Sequence, residues 1–254
     1  MKTLAVLALL TAAGQQTSDE VRFITCPIYR DTDAGKKSGC WLAEDRATGR
    51  RYDVSPSISK PDWNHEVLVE GKLAPATTDT PCGGIVLDPV RTSVLPGSCT
   101  RQMLPAETYT GRKFVLPKRN VRPLYDPAPA PAGPYGAKRF HLLFDFDQAF
   151  LIYQYDDYYL DAMISWIRAA KPRAITVTGY GATTPSTVSG RVIAETPAIA
   201  RVRAEKIAEA LVRLGVDRKI ITVRWQGSAR PIDTPEADGL TEPSRRRVDI
   251  DMAP

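Results

Sequence analysis

The chain of 254 residues has only two histidines, His65 and His141, and they fall in different halves of the sequence. No catalytic His pair or Ser-His-Asp series is therefore visible. Ser186, Ser189 and Ser244 lie in polar stretches with no histidine nearby. A nucleophile elbow, a phosphate-binding glycine loop, a His-rich metal motif and a paired-carboxylate signature are all missing, which argues against an enzyme. The four cysteines include no C-x-x-C pair, so the common zinc spacings are excluded and no metal or cofactor is expected. No apolar run reaches the ~20 residues that a membrane-spanning helix needs. A net charge of +5 is mild and leaves no nucleic-acid footprint. Internal repeats are absent as well.

What is present begins with an export signal. Lys2 is a short positive segment, Leu4 to Leu10 (LAVLALL) is a short apolar run, and Thr11-Ala12-Ala13 supplies small residues at a cleavage position. Residues 1–13 are expected to be a signal peptide, with a mature chain beginning near Gly14. Cys26 is preceded by Phe23-Ile24-Thr25 rather than a small residue, so no lipid anchor is expected. Cys26, Cys40, Cys82 and Cys99 all lie in the first hundred residues. An even count in an exported chain predicts two disulfides with three possible pairings, and the neighbour pairing, Cys26 with Cys40 and Cys82 with Cys99, is favoured because it closes short loops.

Residues 20–117 read as a small disulfide-bonded β domain, OB-like or a barrel or sandwich. Val21–Thr25, Cys40–Ala43, Arg51–Val54, Val67–Leu73 and Ile85–Leu87 are short β-prone runs separated by Gly, Pro and Asp. Tyr29, Trp41, Tyr52 and Trp63 are expected to pack in its interior, with stacking platforms for sugars or nucleotides as the alternative. Residues 118–137 are a Pro-rich linker, whose RPLYDPAPAPAGP run predicts extended chain holding its neighbours apart.

Residues 138–254 carry the clearest periodicity. Phe140–Phe146 (FHLLFDF) predicts a strand. Leu160, Met163, Ile164 and Ile167 share one face of a helix over 158–170 that Pro172 stops. Ala174–Thr178 is a β-branched strand running into a glycine turn. Ala200, Ala204, Ile207, Ala208, Leu211 and Leu214 stripe a second helix over 197–214, ended by Gly215. Ile220–Trp225 and Arg247–Met252 are two further strands, and Val248, Ile250 and Met252 alternate with Arg247, Asp249 and Asp251. The order βαβαββ implies an α+β two-layer sandwich.

Four segments in this order resemble the OmpA-like, peptidoglycan-associated domain family. They are Phe144-Asp145-Phe146-Asp147, Val177-Thr178-Gly179-Tyr180 in place of hydrophobic-Thr-Gly-His, Arg203-Ala204 with Ile207 in place of Arg-Ala-x-x-Val, and Arg245-Arg246-Arg247-Val248-Asp249-Ile250. The resemblance implies a site that grips the diaminopimelate of the peptidoglycan stem peptide, whose free end carries a carboxylate and an ammonium. A planar Arg fork suits the carboxylate. Arg203 matches the family's arginine and is placed on the exposed flank of the helix stripe. The family's aspartate is replaced by Ala182, so Glu195 and Asp147 become the candidate acids, with Tyr180 at the turn and Arg246 close to the site. The loop from Tyr180 to Arg203 is also longer than the family habit, and rich in Thr, Ser and Gly.

The expected protein is thus non-enzymatic, exported to the periplasm of a Gram-negative bacterium in association with the outer membrane, and bound to peptidoglycan, with other envelope proteins as further partners and no membrane-spanning segment in the mature chain. Two alternatives stay open: a degenerate OmpA-like domain kept as a protein-interaction scaffold, and an envelope hydrolase with its chemistry in the β domain.

Overall fold

A computed structural model describes residues 20–33, 39–112, 130–151, 155–234 and 237–254. The signal peptide expected at residues 1–13 and residues 118–129 of the expected linker lie outside these. The first half is β, as its short β-branched and aromatic runs predict. It contains β1 (Glu20–Thr25), β2 (Pro27–Arg30), β3 (Cys40–Asp45), β4 (Arg50–Asp53), β5 (His65–Leu73), β6 (Ile85–Ser98) and β7 (Gln102–Leu104) in one sheet of order β1-β5-β6-β4-β3-β2-β7. Pairing is antiparallel except for β4 with β6 and β2 with β7. Phe23, Ala43, Tyr52, Val54, Val67, Val69, Leu87 and Val90 form one buried cluster. Phe23 of β1 meets Tyr52 of β4, three strands away in the sheet, with ring centroids 5.4 Å apart, so the sheet must curl around the cluster.

The disulfides join Cys26 to Cys99 and Cys40 to Cys82. This corrects the expected neighbour pairing. Cys40 and Cys82 point into a small buried cluster with Ile28 and Leu42, so packing selects the pair rather than loop length. Tyr29, Trp41 and Trp63 pack against one another with ring centroids 4.7–5.3 Å apart, and Tyr52 packs on Phe23.

The second half is the expected two-layer sandwich. β8 (Lys138–Leu143), α1 (Tyr155–Ala170), β9 (Ala174–Tyr180), β10 (Ser186–Val188), β11 (Arg191–Ile193), α2 (Ile199–Arg213), β12 (Ile221–Gln226), the short α3 (Thr241–Arg245) and β13 (Arg247–Ala253) follow in order. The main sheet runs β12-β9-β13-β8. Both long helices lie on one face, where Met163, Ile164, Ile167, Ala204, Ile207 and Leu211 meet Leu142, Ile175, Val177, Val248, Ile250 and Met252. Among the described residues no helix is long and apolar enough to cross a membrane.

Three local differences from expectation bear on the site. β8 ends at Leu143 rather than Phe146, so Phe144–Asp147 forms the turn after the strand, with Asp147 at a positive φ of 53°. The polar loop after Tyr180 contains an antiparallel hairpin, β10 with β11. The two halves are also in contact, rather than held apart by the linker. In β1 and β5 alternate residues take opposite sides. Phe23, Val67 and Val69 face the β domain's own core, whereas Ile24 and Leu68 join Leu95, Phe146 and Val188 in a cluster shared with the second half. A strand buried on both faces reads as a continuous apolar run, which is why β5 contains Val67-Leu68-Val69 without a polar break.

Candidate functional site

The turn after β8, the end of β9 and the start of α2 converge on Arg203. Its place on α2 follows from helical spacing beside Ala200, Ala204 and Ile207. Gly179 allows the close approach, since a Cβ there would lie 1.9 Å from the Ala200 carbonyl oxygen. Arg203 is fully buried, not on the exposed flank expected from sequence. The reason is that the turn after β8 and the loop carrying Glu195 close over its end of the helix.

Each N–H of the guanidinium has an acceptor. Nε donates to the Gln148 carbonyl at 2.8 Å. Nη1 donates to the Tyr180 carbonyl at 2.9 Å and to Glu195 Oε2 at 3.0 Å, and Nη2 to the Asp145 carbonyl at 3.0 Å and to Glu195 Oε1 at 2.6 Å. Glu195 is equally satisfied. Its Oε1 also accepts from the backbone N–H of Asp147 at 2.7 Å, and its Oε2 from that of Ala182 at 2.6 Å. The side chains of both partners are fully buried. Burial draws the Arg203 guanidinium below its ordinary value, and the Glu195 carboxylate offsets part of that pull.

This arrangement is a carboxylate cradle: one bidentate arginine fork and two backbone N–H groups, all converging on two oxygens. Glu195 occupies it, reaching back to the backbone of Ala182 where the family resemblance places an aspartate. Asp147 stands at the rim. Its Oδ1 accepts from Thr196 N at 2.9 Å and from Thr196 Oγ1 at 2.8 Å, fixing the segment between Glu195 and α2. Tyr180 contributes its carbonyl, while its ring lies beneath the Arg247 guanidinium, 4.7 Å from the ring centroid. Burial and the nearby Asp249 carboxylate raise the Tyr180 hydroxyl above its usual value.

Arg246 lies beside the cradle, but its fork serves another carboxylate. Nη1 donates to Glu70 Oε1 at 3.1 Å and Nη2 to Glu70 Oε2, with both side chains essentially buried. Glu70 belongs to β5 of the β domain, and Arg22 of β1 donates to it at 2.9 Å. Burial raises the Glu70 carboxyl, yet Arg246 and Arg22 outweigh it and hold the group below the ordinary carboxylate range. Asp145 behaves in the opposite way. Burial pushes its carboxyl up, and Arg91 and the Ser59 hydroxyl offset only part of the shift.

Arg203, Asp147, Glu195 and the Tyr180 backbone are therefore brought together, and Arg246 stands next to them with its own partner. Sequence reasoning missed Glu70. Its signal was a glutamate directly after the apolar run Val67-Leu68-Val69, which invites a buried cation as partner. A cavity of about 370 Å³ opens next to the cradle, lined by residues of both halves of the chain. Leu95 and Phe146 give it apolar walls, and Asp62, His65, Asp147 and Gln148 its polar ones.

The model of the OmpA family matches residues 143–245. Those residues form an OmpA-family domain. The match takes in the turn after β8, the whole cradle and Arg245 before β13. Solved structures similar to the chain include the OmpA-like domain of FopA1 from Francisella tularensis subsp. tularensis SCHU S4, at 21% identity, covering 46% of this chain and 73% of that one, with a TM-score of 0.36. The peptidoglycan-associated lipoprotein from Burkholderia pseudomallei is 25% identical over 45% of this chain and 90% of that one, with a TM-score of 0.34. The cell wall anchor of the T6SS from Pseudomonas aeruginosa is 20% identical over 46% and 81%, with a TM-score of 0.35. No curated protein matches the chain. The β domain lies outside the matched residues.

Proposed function

We propose that this is a non-enzymatic cell-envelope protein that associates with peptidoglycan through its OmpA-like domain, using the Arg203 cradle to hold a carboxylate of the stem peptide. The observation that carries the reading is the cradle and its occupant: a carboxylate sits there with all four of its hydrogen bonds made. Diaminopimelate ends in a group of the same planar shape. A wall carboxylate would exchange with Glu195 rather than add to it. Exchange keeps Arg203 paired at the end points and so avoids the ~3–5 kcal/mol cost of stranding a buried charge. Asp147, on the wall of the adjoining cavity, is placed to meet the accompanying ammonium. The OmpA-family match supports the reading, as does the export signal expected at residues 1–13, which would deliver the chain to the periplasm. The division into a β domain, a linker and an OmpA-like domain belongs to the same proposal.

The alternative of an interaction scaffold is favoured by one observation. Glu195 fills the cradle completely, and the β domain docks beside it through the buried Glu70–Arg246 pair. Sedimentation with purified sacculi separates the two readings. Under the proposal the wild-type chain pellets with sacculi, and Arg203→Met combined with Glu195→Gln, which removes the pair without stranding either charge, lowers the affinity about tenfold or more. If the wild type and Glu195→Ala both stay in the supernatant, the scaffold reading replaces it.

A further inference from the structure

We infer that docking of the β domain on the β10–β11 hairpin latches Glu195 into the Arg203 cradle, so that domain docking and occupation of the cradle by an outside carboxylate oppose each other. The inference rests on the proposed role of the cradle and adds its regulation. Glu195 lies just beyond β11, so its carboxylate is set from one side by the hairpin, and from the other by its own N–H on the Ala182 carbonyl and by Thr196 on Asp147. The hairpin takes no part in the helix-sheet core of the OmpA-like domain. Val188 and Ile193 pack instead with Ile24, Leu68 and Leu95 of the β domain and with Phe146.

Polar contacts hold both strands of the hairpin and its turn. Arg22 Nη1 donates to Ser186 Oγ at 2.9 Å, the Ile24 backbone N–H donates to Ser189 Oγ at 2.9 Å, and Arg191 pairs with Glu66. The opposite wall of the cradle is pinned by the same domain, because the Phe146 N–H donates to Ser93 Oγ at 2.9 Å and the next residue, Asp147, supplies a cradle N–H. The hairpin that leads into Glu195 and the turn that supplies one of its two N–H partners are thus tied to β1, β5 and β6. Loosening the hairpin would let Glu195 withdraw and leave Arg203, Ala182 N–H and Asp147 N–H to another carboxylate. By linkage, a carboxylate bound there would weaken docking by the same factor.

The test uses the full chain carrying Arg22→Ala with Ser189→Ala, and reads amide hydrogen exchange by NMR at Ala182 and Asp147, whose N–H groups are bonded to Glu195. Exchange at both should accelerate roughly tenfold or more, while the Val177 and Ile250 amides of the central sheet keep their wild-type rates. Arg191→Ala, which removes one exposed pair, should give a smaller acceleration and stands in if the double variant does not fold. Unchanged exchange at Ala182 and Asp147 would overturn the latch, whatever the sacculi do. In the pelleting assay the double variant should bind sacculi severalfold more tightly than wild type. Faster exchange with no pelleting by wild type, the double variant or Glu195→Ala would leave the latch standing and remove peptidoglycan as the ligand.

Discussion

Replacing Glu70 by alanine tests whether the two domains behave as one body. Glu70 is 3% exposed and Arg246 is fully buried, so removing the carboxylate leaves a guanidinium in the interior with neither of its Nη groups on an acid. Arg22, with 20% of its side chain exposed, can turn to water. Arg246 cannot, and breaking a buried pair in this way costs ~3–5 kcal/mol. At about 2–4 °C per kcal/mol for a chain of this size, the melting temperature should fall by roughly 6–20 °C. Scanning calorimetry of the full chain should show one transition for wild type, and for Glu70→Ala a lower or split one as docking weakens. Glu70→Leu with Arg246→Met should recover most of the loss, since neither charge is then stranded. The pH dependence has a definite sign. Glu70 is held below its ordinary value of 4.5, so its contribution is present at pH above that value and is lost as pH falls through the lower folded-state value. That component of acid sensitivity should be absent from the Glu70→Leu, Arg246→Met chain. A shift below about 2 °C for Glu70→Ala, with a single transition retained, would refute the claim that Arg246 depends on Glu70.

Two further outcomes follow from packing. Gly179→Ala places a Cβ 1.9 Å from the Ala200 carbonyl oxygen, so α2 must shift off β9; thermal unfolding should show a loss of about 1–3 kcal/mol, and a neutral result would mean the helix seats less closely. Peptide mapping by mass spectrometry should find Cys26–Cys99 and Cys40–Cys82, and mild reductant should open Cys26–Cys99 first because Cys40 and Cys82 are completely buried. Cys40→Ser with Cys82→Ser should cost about 4 kcal/mol by the chain-entropy relation for a loop of this length, measured by denaturant unfolding.

The sequence alone determined the elements whose signals are local. Val248, Ile250 and Met252 alternate because a strand has a two-residue period, and Ala200, Ala204, Ile207 and Leu211 share a face because a helix repeats every 3.6. From those periods came the two-layer sandwich, with boundaries within a few residues of those found. The candidate site was partly legible too. Arg203 and Asp147 lie in the motif segments and Glu195 in the long loop between them; Glu195 reaches back to Ala182, but it does so paired with Arg203 rather than as an acid free to meet an ammonium. What the tertiary structure decided is which group each charge and each thiol meets. Glu70 and Arg246 are 176 residues apart in the chain, and a strand pattern carries no information about a partner at that distance. The β10–β11 hairpin escaped detection because its Thr, Ser and Gly residues read as loop, Val192 is exposed, and Val188 is buried only once Ile24, Leu68, Leu95 and Phe146 come together from distant parts of the chain. Arg203 illustrates the same limit. Its helix position was readable, but its burial depends on a turn and a loop that fold over it from elsewhere, and desolvation is a property of the assembled surface rather than of the residues beside it in sequence.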